Sequence, residues 1–123
     1  MDYGKHFLVE IVARDSRNLG NKKYIEKFMT RIVKDLSMTM LRTADVYKFP
    51  YPGGGITGFC LIAESHVSIH TWPEKKYFSL DVFSCRSFNE KKIERIIRES
   101  FAIAHYYDEV VERGLGINFR IKS

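Results

Sequence analysis

The sequence predicts an α+β fold, a two-layer sandwich in which an antiparallel sheet is covered on one face by two helices. Three observations carry this expectation. Segments with strand-like alternation outnumber those with helical spacing, which are only two. The order along the 123 residues reads β-α-β-β-β-β-α-β. The four middle strands follow one another across short connections, which favours antiparallel neighbours.

Residues Lys5 to Ala13 place Phe7, Val9 and Ile11 on one side, as a strand does. Asp15 to Gly20 is polar and turn-like. From Asn21, a good N-cap, apolar residues fall at Ile25, Phe28, Met29, Ile32, Val33 and Leu36, one face of a helix. Thr39 to Phe49 reads as the second strand. Pro50-Tyr51-Pro52-Gly53-Gly54-Gly55 is a breaker-rich loop. Ile56 to Ala63 and His66 to Trp72 read as strands, joined at Glu64-Ser65. Pro73 to Lys76 turns the chain into Tyr77 to Cys85, where Phe78, Leu80 and Val82 share one face and Asp81, Phe83 and Cys85 the other. Ser87 with Glu90 forms a capping-box pattern. It opens a second helix with Ile93, Ile96, Ile97, Phe101 and Ala104 inward. Tyr106 to Arg113 reads as the last strand.

Length and composition narrow the function classes. The chain is expected to form one domain, 1–123, with no internal linker or low-complexity stretch. No apolar run approaches the roughly 18 residues of a membrane span, and the N-terminus lacks signal-peptide organisation. A cytoplasmic protein is expected, with no membrane partner. The net charge is +5, but Lys22, Lys23, Lys27, Arg31, Lys34, Lys91, Lys92, Arg95 and Arg98 fall on the wet faces of the helices. They read as solvated faces, not as a nucleic-acid stripe. Cys60 and Cys85 are expected as reduced thiols, and without a CxxC spacing they make no zinc site.

Chemistry concentrates in Glu64-Ser65-His66-Val67-Ser68-Ile69-His70-Thr71-Trp72-Pro73-Glu74. A serine at a sharp turn between strands can attack the carbonyl before it, turning an amide into an ester. If a base then removes the serine Cα proton, the ester eliminates and the remainder hydrolyses to a pyruvoyl group. The plainer reading of Ser65 is a turn serine bonded to backbone. His66 and His70 share a strand face with Ser68 and Trp72, and either suits a base near neutral pH. A metal reading would require His66, His70 and Glu74 together; nothing else in the sequence supports it, and no metal is expected. Cys85 ends a strand ahead of a helix, where a thiol can be activated; Cys60 reads as core. A Cys85–His70 pair also fits a cysteine nucleophile, without a local signature for one. Gly53-Gly54-Gly55 lacks the lysine and helix of a phosphate loop. Phe49, Tyr51 and Trp72 flank this region, suited to stack on a planar base or simply to pack.

These pieces resemble the S-adenosylmethionine decarboxylases of the short, prokaryotic type, which make a pyruvoyl cofactor from a serine of their own chain. Gly4-Lys5-His6 is similar to the family's opening motif. Thr57-Gly58 through Glu64-Ser65-His66 is similar to its processing stretch, and Ile69-His70-Thr71-Trp72-Pro73-Glu74 matches almost letter for letter. Leu80-Asp81-Val82-Phe83-Ser84-Cys85 resembles a further family strand, and Glu112-Arg113-Gly114 a late motif.

The resemblance implies a proenzyme cut between Glu64 and Ser65, with Ser65 becoming the pyruvoyl group that forms a Schiff base with substrate. It implies His70 as processing base, Glu64 and Thr57 as processing residues, and Cys85 as donor of a proton to the substrate carbon after decarboxylation. Phe49 and Trp72 would sandwich the adenine of S-adenosylmethionine, and Glu74 would hold the ribose. The product would be the aminopropyl donor for spermidine, and the enzyme a homodimer of processed protomers with active sites near the interface. Three departures stand out: a longer, glycine-rich loop from Pro50 to Gly55, Arg86 where glycine is common, and Thr57 in place of serine. The rivals are a pyruvoyl enzyme acting on ornithine or arginine, and a non-processing homologue that binds a ligand or partner subunit.

Overall fold

The computed structural model describes residues 3–50 and 52–114. Its elements are β1 (Gly4–Ala13), α1 (Lys22–Asp35), β2 (Asp45–Lys48), β3 (Ile56–Ile62), β4 (Ser65–Trp72), β5 (Tyr77–Ser84), α2 (Glu90–Ser100) and β6 (Ile103–Arg113), with a short 3₁₀ turn at Pro73–Lys75. The six strands form one sheet in the order β2-β3-β4-β5-β1-β6. Every pair is antiparallel. The α+β two-layer architecture is the one the sequence predicts.

Alternation decides which face is covered. Phe7, Val9 and Ile11 of β1, Ile56, Cys60 and Ile62 of β3, Val67 and Ile69 of β4, and Phe78, Leu80 and Val82 of β5 are buried. They meet Ile25, Phe28, Met29, Ile32 and Val33 of α1 and Ile93, Ile96 and Ile97 of α2. Removing these apolar groups from water is the main stabilising term of such a layer. The helix layer sits close on the sheet at Gly58, where an added Cβ would lie 2.8 Å from Met29 Sδ. The alternate residues, among them His6, Phe59, Leu61, His66, His70, Trp72 and Phe83, face away from the helices.

Asn21 caps α1 as expected, accepting the Tyr24 N–H at 3.1 Å. The cap of α2 differs. Asn89, not Ser87, fills that place and accepts from the Lys91 N–H at 3.0 Å. Glu90 is drawn instead to Lys5, 2.7 Å away, so it does not reach back to close a capping box. The helix ends sooner than its spacing suggests. Phe101 is its C-cap, buried against Phe28 and Phe78, and Ala104 belongs to β6, exposed. The expected strand from Thr39 to Phe49 is broken. Met40 bridges Ile62 and Asp45 pairs with Phe59, so five steps on this strand span three on β3. The surplus residues bend outward, and only Asp45–Lys48 remains regular.

Thr71 is a polar residue fully buried in this core. Its hydroxyl donates to the Leu19 carbonyl at 2.6 Å and accepts from the Ile56 N–H at 2.8 Å. One side chain thus ties the β1–α1 loop, the start of β3 and the end of β4. Thr71→Val keeps the shape but leaves two buried backbone groups unpaired. The variant should lose about 1–3 kcal/mol of stability, read as a lower midpoint in urea unfolding; an unchanged midpoint would mean that these groups find other partners.

Candidate active site

Ser65 opens β4, directly after the two-residue turn Ala63-Glu64 that joins it to β3. It is half-buried and pairs with Ile62 on one side and Ser84 of β5 on the other. Neither turn residue has a positive φ, so strain of that kind does not distinguish the turn. Its hydrogen bonding does. The Glu64 carbonyl accepts the Cys85 N–H at 3.0 Å, and the Ala63 N–H donates to the Thr39 carbonyl at 2.9 Å. The Glu64 carboxylate accepts the Thr39 N–H at 3.1 Å. The carbonyl that a Ser65 hydroxyl would attack is therefore already polarised by a fixed backbone donor, the arrangement that stabilises an oxyanion.

Ser84 sets that donor in place. Its hydroxyl accepts the Arg86 N–H at 2.9 Å and donates to the Arg86 carbonyl at 2.8 Å. This folds the end of β5 into a tight corner with Cys85 at its apex. Cys85 is exposed, whereas Cys60 is buried in β3, where burial pushes its thiol up. Cys85 does not sit at a helix start, since α2 begins at Glu90 behind its Asn89 cap. The helix dipole is therefore not what would activate it. A cavity of about 70 Å³ opens beside it, lined by Lys5, Ser84, Cys85, Arg86, Ser87 and Glu112.

His70 lies elsewhere. Its Nδ1 is 3.3 Å from Thr57 Oγ1, its cross-strand neighbour. With Nδ1–H donating to the threonine, Nε2 keeps its lone pair free to take a proton. Yet His70 is five positions along β4 from Ser65, roughly 16 Å at the strand rise, and odd spacing sends the two to opposite faces. The structure thus brings Ser65, Glu64 and Cys85 together at one end of the sheet and His70 with Thr57 toward the other.

Trp72 continues the His70 end, its ring 5.2 Å from Tyr77 and 6.3 Å from His70. Phe49 follows β2 and takes its place through its N–H, which donates to the Gly55 carbonyl at 2.8 Å. Glu74, in the 3₁₀ turn, rests its carboxylate where a Cβ on Gly53 would lie, and the Gly53 φ of +106° is one that side-chain-bearing residues rarely adopt. Tyr51 lies outside the described residues. His66 and His70 do not converge with Glu74, and no group of three His, Cys, Asp or Glu that could hold a metal occurs among the described residues. Cavities of about 410 and 340 Å³ lie on the outer face of α1 and by the C-terminal end of α2, away from all these side chains.

The sequence reading gave no role to Ser84, Thr39 or the open-face group around His66, and took Arg86 only as a departure from the family pattern. Arg86 and Thr39 act through contacts between segments far apart in the chain, and Ser84 through a tight corner closed onto Arg86, none of which a local motif shows. His66 stacks on Phe59 at 5.3 Å and tilts on Phe83 at 5.7 Å. His6 beside it pairs with Asp81 at 3.0 Å. Alternation in β1, β3 and β5 signalled that these residues share a face, but not that they touch.

A family model described as S-adenosylmethionine decarboxylase matches residues 5–114. The S-adenosylmethionine decarboxylase proenzyme of Thermococcus kodakarensis is 34% identical over 113 residues, covering 91% of this chain and 77% of the relative. That of Archaeoglobus fulgidus is 33% identical over 115 residues, covering 93% of this chain and 100% of the relative. The crystal structure of the adenosylmethionine decarboxylase from Aquifex aeolicus VF5 superposes with a TM-score of 0.77 at 29% identity, covering 93% of this chain and 92% of that one.

The open-face histidine makes stability depend on pH. Burial pushes the His66 imidazole below its ordinary 6.5; His6 adds to this and Asp81 opposes it. The unfolded chain thus binds a proton there that the folded chain resists. The contribution is full above about pH 6.5 and is lost as the pH falls below it toward the folded value. The thermal midpoint should drop as the pH falls below about 6.5, and H66F should flatten that decline. A decline of wild-type steepness in H66F would assign it to other groups.

Proposed function

The chain belongs to the S-adenosylmethionine decarboxylase family, and from that premise we propose that it is a self-processing, pyruvoyl-dependent carboxy-lyase acting on S-adenosylmethionine to give the decarboxylated aminopropyl donor. The observation that carries the processing step is the Cys85 N–H held 3.0 Å from the Glu64 carbonyl, beside the one serine that could attack it.

The proposed cut falls between Glu64 and Ser65. Ser65 Oγ adds to the Glu64 carbonyl carbon while the Cys85 N–H bonds the developing oxyanion. The C–N bond breaks, an ester to Oγ forms, and the serine nitrogen becomes an amine. A base takes the Ser65 Cα proton, and the Cβ–Oγ bond breaks to expel the Glu64 carboxylate. Water replaces the nitrogen, which leaves as ammonia, and a pyruvoyl group remains at position 65. Glu64 ends the first piece, residues 1–64; the second is 65–123.

His70 is the proposed base, held by Thr57 in the tautomer that leaves Nε2 free. The pyruvoyl carbonyl supplies an electrophile for the substrate amine and a sink for electrons as carbon dioxide departs. Cys85, exposed at the apex of its corner, holds at Sγ the proton for the substrate carbon. Trp72 and Phe49 offer ring faces to the adenine, and the Glu74 carboxylate suits the ribose hydroxyls.

The separation of roughly 16 Å between Ser65 and His70 supports a homodimer that shares its sites. A second copy laid against the open sheet face would stand over His70 and Trp72. The uncovered face has the apolar character for this: Phe59 and Leu61 are each 41% exposed and Val111 39%.

Intact mass of the purified protein under denaturing conditions tests the cut. Two pieces meeting at Glu64–Ser65, the second blocked by a pyruvoyl group, are expected, and S65A should stay whole. A native chain that stays whole on long incubation would overturn self-processing. Mixing tests the shared site. S65A and H70A should each stay uncut alone. Co-expressed, they should yield cleavage of the H70A chain, with its Ser65 served by His70 of its S65A partner. No cleavage in the mixture would place serine and base within one chain.

A further inference from the structure

Arg86 joins three parts of the chain at the processing turn. Its Nη1 donates to the Ser37 carbonyl at 2.8 Å, just past the end of α1, and lies 3.6 Å from Glu64 Oε2. Its own backbone is clasped on both sides by the Ser84 hydroxyl. Ser37 has φ +56°, and the Met38 N–H donates to Val33 while the Ser37 N–H donates to Lys34. This left-handed cap turns the Ser37 carbonyl away from the helix. The cation then meets a helix C-terminus, where positive charge is favoured.

Glu64 is the other end of the bridge. Its side chain is 15% exposed, that of Arg86 52%. Exposed ion pairs generally contribute little to stability, so the place of this pair matters more than its strength. Under the proposed cut, negative charge develops on the Glu64 carbonyl oxygen, within the same residue as its side-chain carboxylate. The Thr39 N–H on Oε1 carries no full charge, so without Arg86 the carboxylate would lack a counter-charge and oppose the oxyanion, and the effect is larger where water is excluded.

We propose that Arg86 is a positioning residue for self-processing: by pairing with the Glu64 carboxylate it orients the residue before the cut and offsets the charge that would oppose the oxyanion. The inference rests on the self-processing reading. It concerns the rate at which the chain cuts itself, not the fold, and it acts through Glu64, without contact with the reacting atoms.

Cell-free synthesis followed by intact mass over time gives the first-order cleavage rate of each fresh chain. R86A should cut about five- to tenfold more slowly than wild type, the rate equivalent of losing about 1 kcal/mol of transition-state stabilisation. R86K, which keeps the charge, should recover most of the rate. In the E64Q background, where no carboxylate remains to be offset, R86A should change the rate little. A wild-type rate in R86A would overturn the proposal. So would a slowing as large in the E64Q background as in the native one, which would assign Arg86 to holding Ser37 and the end of α1. Should R86A fail to fold, comparison of R86K with E64Q/R86K decides by the same logic. A wild-type chain that never cuts itself would instead overturn the self-processing reading, and this inference with it.

Discussion

The period of two along β4 governs the molecule. It sends Val67, Ile69 and Thr71 into the core and His66, Ser68, His70 and Trp72 to the open face. A slip of one residue would exchange the two sets, burying imidazoles under the helices and exposing the aliphatic row. Register is therefore fixed by the same burial that stabilises the fold. It is reinforced by the Thr71 hydroxyl, whose two partners lie on other segments. Because β4 has strands on both sides, its alternation is passed to β3 and β5, and the chemistry-bearing residues inherit their places from it.

The two ends of the sheet differ in what they offer. At the Ser65 end, backbone groups do the directing: a carbonyl, an N–H and a corner clasped by Ser84. At the Trp72 end, ring faces and a carboxylate lie near a loop whose glycines admit close approach. Between them, His66, Phe59 and Phe83 pack as an aromatic row beside the His6–Asp81 pair. A flat face of this kind differs from an enzyme cleft, which agrees with the larger cavities being found elsewhere. Under the proposed function, the walls of the reaction site would come from a second copy laid against the sheet.

Much of the fold was legible in the sequence because it is written in local periodicity. The element order, the helix faces of α1 and α2 and the Asn21 cap follow from spacing alone. The errors came where distant residues intervened. Lys5 drew Glu90 away from a capping box, and surplus residues after Met40 had to bulge because β3 offers too few partners. Ser65, His70 and Cys85 were singled out as candidates through motif resemblance. Their separation into two groups was not, since a linear run such as Glu64 to Glu74 suggests one cluster until the strand is given its length. Arg86 looked only like a departure; its contacts with Ser37 and Glu64 depend on where α1 ends.

The strand order has a consequence for molecularity. A chain cut at Glu64–Ser65, as proposed, would be no longer one molecule but two, the first bringing β1 to β3 with α1 and the second bringing β4 to β6 with α2. Yet β1 of the first piece lies between β5 and β6 of the second. The pieces are interleaved, and parting them means breaking the ladders on both sides of β1 as well as the β3–β4 ladder at the cut. The folded nicked protein should hold together without a covalent tie. Once unfolded, its two halves must find each other by diffusion, so re-formation becomes second order and its apparent stability rises with concentration. An intact chain refolds free of that dependence, which would make the proposed cut a one-way step in assembly as well as in chemistry.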